Sequence, residues 1–250
     1  PNIFHPERAR QPKNLAARQR QCVKFHILLS ALLTWATLSL EAKPNVIVIL
    51  VDDMGYSDAG AFGGEVRTPN VDRLAKGGLR FTQNYNSARC CPSRASLLTG
   101  LYSHQAGIAN FTGGDRSAKK GPAYRGRLSK QCVTLAEALK AAGYNTYGVG
   151  KWHVGHQESP ETRGFDEYYG YTRGYSANQW DLNSYRRLPA DRKPEIEYNP
   201  ENFYATDAFS DYAVEFVKQA QGKKEPFFLY LAHSSPHFPL QAPAKTRDTY

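Results

Sequence analysis

Asn45-Val46-Ile47-Val48-Ile49-Leu50-Val51-Asp52-Asp53 is the stretch on which the fold turns. A continuous β-branched run of this kind argues for a strand buried on both faces, as in a parallel sheet. It ends in two adjacent carboxylates. Paired carboxylates at the C-terminal end of such a strand are costly to bury unless something positive lies between them, and open α/β sheets bind their ligands at that end. A hard cation is the natural partner of Asp52 and Asp53. The alternative is a solvated turn with helix-capping aspartates.

Downstream, residues 54–66 read as a Gly-rich loop, and Thr68-Pro69-Asn70-Val71-Asp72-Arg73-Leu74-Ala75-Lys76-Gly77 reads as a capped helix with a Gly stop. Leu79, Phe81 and Tyr85 suggest an extended return strand. It delivers the chain to Cys90-Cys91-Pro92-Ser93-Arg94-Ala95-Ser96-Leu97-Leu98-Thr99-Gly100. Pro92 suits a first helical position, Ser93 can satisfy a free backbone N–H, and Gly100 supplies a stop, so Cys90 is expected just outside a helix N-terminus. Backbone N–H groups and the helix dipole converge there, favouring an anion and lowering a thiol pKa. A Cys in this place is otherwise a small buried hydrophobe.

Residues 101–130 are Gly-, Ser- and Lys-rich and read as a surface loop, in which His104 has no assigned role. Thr134-Leu135-Ala136-Glu137 has capping-box spacing for a helix that ends at Gly143. Tyr144 to Val149 is a second buried strand, followed at once by Gly150-Lys151-Trp152-His153, where Lys151 and His153 would project to the same side. Residues 164–202 look like a long irregular excursion. Its aromatics either stack on sugar or aryl rings or cover a small core of their own. Phe209, Tyr212, Ala213, Phe216, Val217 and Ala220 recur at helical spacing, which predicts an amphipathic helix over 206–221. Pro226 to Leu231 is a third strand, and His233-Ser234-Ser235-Pro236-His237 follows its end. Three strands thus place titratable groups at one edge. The alternation is that of an α/β fold, a mostly parallel sheet with helices on both faces.

With 250 residues and 41% apolar content the chain can bury a sizeable core. Its net charge is +9, but residues 1–42 hold six Lys/Arg against two Asp/Glu, leaving +5 for the rest. No Lys/Arg block of nucleic-acid type appears, so no nucleic-acid partner is expected. Residues 23–42 read as a secretory signal, with Lys24 before the apolar run Ile27 to Leu40 and a cleavage site after Ala42. The run is too short for a stable membrane span, and its removal leaves none. Residues 1–22 then read as upstream translation before a start at Val23, and 43–250 as the catalytic domain, secreted or periplasmic. After cleavage only Cys90, Cys91 and Cys132 remain, with neither a disulfide framework nor a zinc-type spacing.

The string C-x-P-S-R followed by A-S-L-L-T-G resembles the signature of the formylglycine-dependent sulfatases. Val51 to Tyr56, Thr68 to Leu74, Gly150 to Gly155, Gly164 to Gly170 and His233 to His237 resemble further sulfatase blocks in family order. The resemblance implies an alkaline-phosphatase/sulfatase-like sheet and a sulfuric ester hydrolase acting on aryl or carbohydrate sulfate monoesters. Cys90 would be oxidised to formylglycine (3-oxoalanine) by a formylglycine-generating maturation enzyme. Asp52, Asp53 and the residue at Cys90 would bind Ca2+, Arg94 and Lys151 would hold formylglycine and sulfate oxygens, and His153 and His233 would handle protons or contact sulfate. A hydrated aldehyde offers one hydroxyl to attack sulfur and a second to expel sulfate, an exit that a Ser or Cys ester lacks. By the same resemblance a later acidic/amide pair and a lysine would lie beyond Tyr250, so the domain is expected to be C-terminally incomplete. A histidine that some relatives carry near residues 175–179 has no counterpart. The alternatives are a formylglycine-dependent phosphonate or phosphodiester hydrolase and an inactive truncated fragment.

Overall fold

The computed structural model describes residues 42–112, 121–174 and 177–249. The expected leader up to Glu41 and the segment before it lie outside the described residues. Strands β1 (Val46–Asp52), β2 (Asn145–Lys151), β3 (Glu167–Tyr171), β4 (Arg186–Leu188) and β5 (Phe227–Pro236) form one sheet in the order β1-β5-β2-β3-β4. The first four in that order run parallel and β4 is antiparallel. Helices α1 (Pro69–Gly77), α2 (Cys90–Thr99), α3 (Leu135–Ala141) and α4 (Ala205–Gln221) accompany it.

Strand alternation divides the core in two. Phe228, Tyr230 and Ala232 of β5 meet Cys91, Ala95 and Leu98 of α2 and Ala136 of α3 on one face. Phe227, Leu229 and Leu231 meet the Phe209, Tyr212 and Phe216 stripe of α4 on the other. Helices therefore cover both faces, as the alternation predicts. The α3 capping box also forms: the Thr134 hydroxyl accepts from the Glu137 N–H at 3.0 Å, and the Glu137 carboxylate accepts from the Thr134 N–H at 2.7 Å.

Four readings need correction. β1 is not buried on both faces: Ile47, Ile49 and Val51 are 51%, 57% and 36% exposed, because α4 lies over β5, β2 and β3 and stops short of this strand. The return strand through Leu79, Phe81 and Tyr85 does not form, and all three side chains are exposed. The segment after α2 is partly core, since Ala106, Ile108 and Leu128 are buried and Ile108 bridges Tyr124. Finally, the 164–202 excursion contains β3 and β4, and its Tyr168, Tyr169, Tyr171 and Tyr185 are buried protein core.

The glycines that disguise β3 are what let it pair. A Cβ on Gly170 would sit 2.0 Å from the Gly150 carbonyl oxygen, and one on Gly150 would sit 1.9 Å from that of Ala232. Strands β5, β2 and β3 thereby close up at their C-terminal ends, next to Lys151. Among the described residues no helix is long and apolar enough to cross a membrane.

Candidate active site

The C-terminal ends of β1 and β2 and the first turn of α2 meet in one cluster. Helix α2 begins at Cys90 itself, with Arg89 as the extended residue before it and Gly100 in the left-handed conformation after it. The Ser93 hydroxyl accepts from the Ser87 N–H outside the helix at 3.1 Å and so ties the incoming loop down instead of capping α2. This places the Cys90 thiol half-buried at a cleft of about 200 Å³ that Asp52, Asp53 and Arg94 also line.

Asp52 is buried and takes two cations. Arg94 Nη2 lies 3.3 Å from its Oδ1, and Lys151 Nζ contacts its Oδ2. Both partners are themselves almost fully buried, Arg94 at 1% and Lys151 at 0% exposure. Arg94 also donates through Nη1 to the Lys151 carbonyl at 3.0 Å and to the Tyr230 hydroxyl at 3.3 Å, while its Nε has no hydrogen-bond partner. Burial pushes the Tyr230 phenol up, so that neighbour stays neutral. One carboxylate facing two desolvated cations leaves a net positive charge, and a buried excess of that sign favours an anion.

A second group touches the first. Cys91 is fully buried, with Sγ 3.9 Å from Cys90 Sγ and 3.3 Å from His153 Nε2. The Cys90 thiol is drawn down to about 3, first by the hydrogen bond from Cys91, with burial opposing and with His153 and Lys151 adding to the fall. Cys91 is pushed up correspondingly by its bond to Cys90 and by burial. Residue 90 is thus the activated member of the pair and Cys91 the donor that holds it.

Asp53 turns the other way. Its side chain is 59% exposed and its Oδ2 lies 3.6 Å from Nε2 of His237. Among the described residues the non-glycine positions with positive φ are Asp53 (62°), Ala88 (54°) and His153 (50°); the first two line this cleft and His153 is buried against Cys91. Each holds strain of about 1–3 kcal/mol, which such sites retain only when the surrounding structure fixes them.

The predicted site residues therefore separate into those that meet and one that does not. Asp52, Cys90, Arg94, Lys151 and His153 converge, and Asp53 forms the rim. His233 falls by alternation on the α4 face of β5, its ring centroid 6.2 Å from that of Phe209 and its Nδ1 without a partner. Burial lowers its pKa and keeps it neutral. Cys91, Tyr230 and His237 are the members that the sequence did not single out. His237 stood in the quoted end of the third strand, Cys91 read as a variable position, and Tyr230 read only as core.

Asp52 and Asp53 both line the cleft and carry the oxygen donors a hard cation takes, with Asp52 also paired to Arg94 and Lys151 and Asp53 near His237. Calcium takes six to eight oxygens, so two carboxylates are a partial shell.

A mostly parallel sheet whose C-terminal edge gathers a helix-borne thiol, one carboxylate and two buried cations defines an α/β protein with a charged cluster at that edge. A sulfatase profile matches residues 44–250, and the chain belongs to the sulfatase family. It is 39% identical over 210 residues to an arylsulfatase of Klebsiella aerogenes, covering 81% of this chain and 45% of that protein. It is 35% identical over 236 residues to an N-acetylgalactosamine-6-sulfatase of Sus scrofa, covering 88% and 45%. The crystal structure of Ps i-CgsB in complex with k-i-k-neocarrahexaose superposes with a TM-score of 0.70 at 34% identity, covering 83% of this chain and 48% of that one. The chain thus spans about half the length of the curated relatives it matches.

Proposed function

We propose that the protein carrying this chain hydrolyses sulfate monoesters, with carbohydrate or aryl sulfates as the substrate class. The observation that supports this best is the Asp52–Arg94–Lys151 cluster, which keeps a positive surplus for an anion once position 90 no longer carries a thiolate. A sulfate ester carries a single negative charge on three equivalent oxygens and matches that excess without needing a proton. The glycan name of one relative and the oligosaccharide bound in the Ps i-CgsB crystal favour a sulfated sugar.

Formylglycine formed from Cys90 by a maturation enzyme would supply a hydrated aldehyde, one hydroxyl for attack on sulfur and one for release of sulfate. Calcium held by Asp52 and Asp53 would supply Lewis-acid stabilisation of charge on the sulfuryl oxygens. The chain's own groups do the rest. Arg94, which lines the cleft, and Lys151 behind it are fixed by Asp52 and would stabilise charge on the anion without reorganising as it develops. His153, whose Nε2 lies 3.3 Å from Cys91 Sγ, would take a proton from the group at the neighbouring position 90. Delivery of a proton to the leaving alcohol falls to the end of β5. There His237 faces Asp53 at the rim, whereas His233 packs against Phe209 and must turn to reach the cleft. A leader over residues 23–42 and export complete this reading.

The test is turnover by the full-length protein made with the maturation machinery, using matched aryl sulfate, sulfated oligosaccharide and aryl phosphodiester substrates. Sulfate ester hydrolysis should dominate, and Cys90→Ala should lower kcat by about a thousandfold or more. Trypsin releases residues 90–94 as one peptide, whose mass reports conversion. An unconverted thiol in an active preparation, or faster phosphodiester cleavage, overturns the proposal.

A further inference from the structure

Sequence spacing offers no zinc site, yet folding creates a thiolate/imidazole group. Cys90, Cys91 and His153 place one donor atom each within 4.8 Å of one another, and they are the sole such group of three among the described residues. Zinc bonds of about 2.3 Å to sulfur and about 2.0–2.1 Å to nitrogen, at tetrahedral angles, require donor separations of about 3.8 Å between sulfurs and about 3.6 Å between sulfur and nitrogen. The structure has 3.9 Å between the two Sγ atoms, and 3.3 and 3.7 Å from Cys91 Sγ to Nε2 and Nδ1 of His153. The remaining edge, Cys90 to His153, is within 4.8 Å and needs to close by no more than about 1.2 Å.

We infer that the unconverted thiol form of this chain binds one soft divalent metal, zinc by preference, through Cys90, Cys91 and His153. Cys90 enters as a thiolate and Cys91 gives its proton to solvent on binding, and two thiolates cancel the charge of the ion, so the nearby Lys151 and Arg94 do not oppose a neutral complex. Three protein ligands leave a fourth position open toward the cleft, through which the ion enters past the half-buried Cys90. Oxygen ligation by Asp52 and Asp53 is a separate, hard-cation chemistry. The inference goes beyond the proposed hydrolysis, because it concerns the chain before position 90 is converted.

The test uses the full-length protein from a host without maturation machinery, stripped of metal by a chelator and titrated with cobalt(II) and then zinc. One equivalent of cobalt should give the thiolate-to-cobalt charge-transfer absorption in the near ultraviolet, and one equivalent of zinc should bleach it. Cys91→Ala should weaken zinc binding about 100-fold by removing one of three ligands. Cys132→Ala, at a buried thiol bonded to the Ser129 carbonyl, should leave it unchanged. Circular dichroism confirms that each variant is folded, and Cys91→Ser replaces Cys91→Ala if the latter is not. Zinc should also slow alkylation of both Cys90 and Cys91 in the unsubstituted protein, read by mass spectrometry. Absence of the charge-transfer band, unchanged zinc affinity without Cys91, or equal alkylation rates with and without zinc overturns the inference. None of these readouts requires sulfatase turnover, so they are separate from the fate of the proposed activity.

Discussion

Two buried ion clusters sit at opposite parts of the sheet with inverse composition. At the end of β1 and β2, one carboxylate, Asp52, serves two cations, Arg94 and Lys151. Beside β3 and β4, one guanidinium, Arg187, serves two carboxylates, Glu167 and Glu195, and the exposed Arg192 approaches Glu167 at 3.3 Å to balance it. Arg163 repeats the second pattern with Glu137 and Glu158, at 2.8 and 2.7 Å. Of the clusters away from the cleft, that of Arg187 closes its charge with Arg192 and that of Arg163 keeps a negative surplus, and both hold elements together. The surplus of the one at the cleft is positive. Full burial is common to Arg94 and Arg187, so burial does not distinguish a binding cluster from a structural one. The sum of charges does.

That contrast can be broken by removing one acid from each cluster. Asp52→Ala strands two buried cations and should destabilise the fold by about 3–5 kcal/mol in denaturant titration. Glu195→Gln leaves Arg187 with Glu167 and should lower stability by about 1 kcal/mol. Equal losses would mean that the surplus at the cleft is relieved by solvent. A sharper discrimination uses inorganic sulfate as a probe. At a hundred times its dissociation constant it should stabilise the protein by about 2.7 kcal/mol in thermal melts. Lys151→Met should abolish that gain and Glu195→Gln should preserve it; the reverse order would sink the assignment of the positive surplus.

The smallest effect concerns His233. Burial lowers its folded pKa below the ordinary 6.5, so the unfolded chain binds the extra proton more readily. Its contribution is complete above about pH 6.5 and is lost as the pH falls through the folded value. Stability measured from pH 7 down to pH 5 should therefore decline, and His233→Gln should flatten the decline. A steeper decline in the variant would place the titrating group elsewhere.

Much of this arrangement was legible in the chain. The β-branched run, the capping box at Thr134 and the stripe from Phe209 to Ala220 each carry a period that local physics fixes, and all three form. Asp52, Cys90, Arg94, Lys151 and His153 lie together, because they come from the ends of β1 and β2 and the first turns of α2. Where reading failed, a property of tertiary packing was responsible. Gly170 breaks the strand pattern in sequence and permits the strand in space, since only a glycine passes the Gly150 carbonyl. Ile47 and Ile49 look like core residues, yet their burial depends on whether a helix reaches over β1. Cys91 and His153 are 62 residues apart, and no spacing rule anticipates their contact.

The left-handed residues Asp53, Ala88 and His153 carry a lesson for anyone who tries to make this protein hardier. Glycine at any of them would relax the backbone, and a selection for heat resistance alone would be drawn to those codons. At Asp53 and His153 the same change deletes a donor, and at Ala88 it loosens the loop that presents residue 90. Robustness and turnover are therefore in direct conflict at these three positions, and protein engineers would do better to seek their gains on the far side of the sheet.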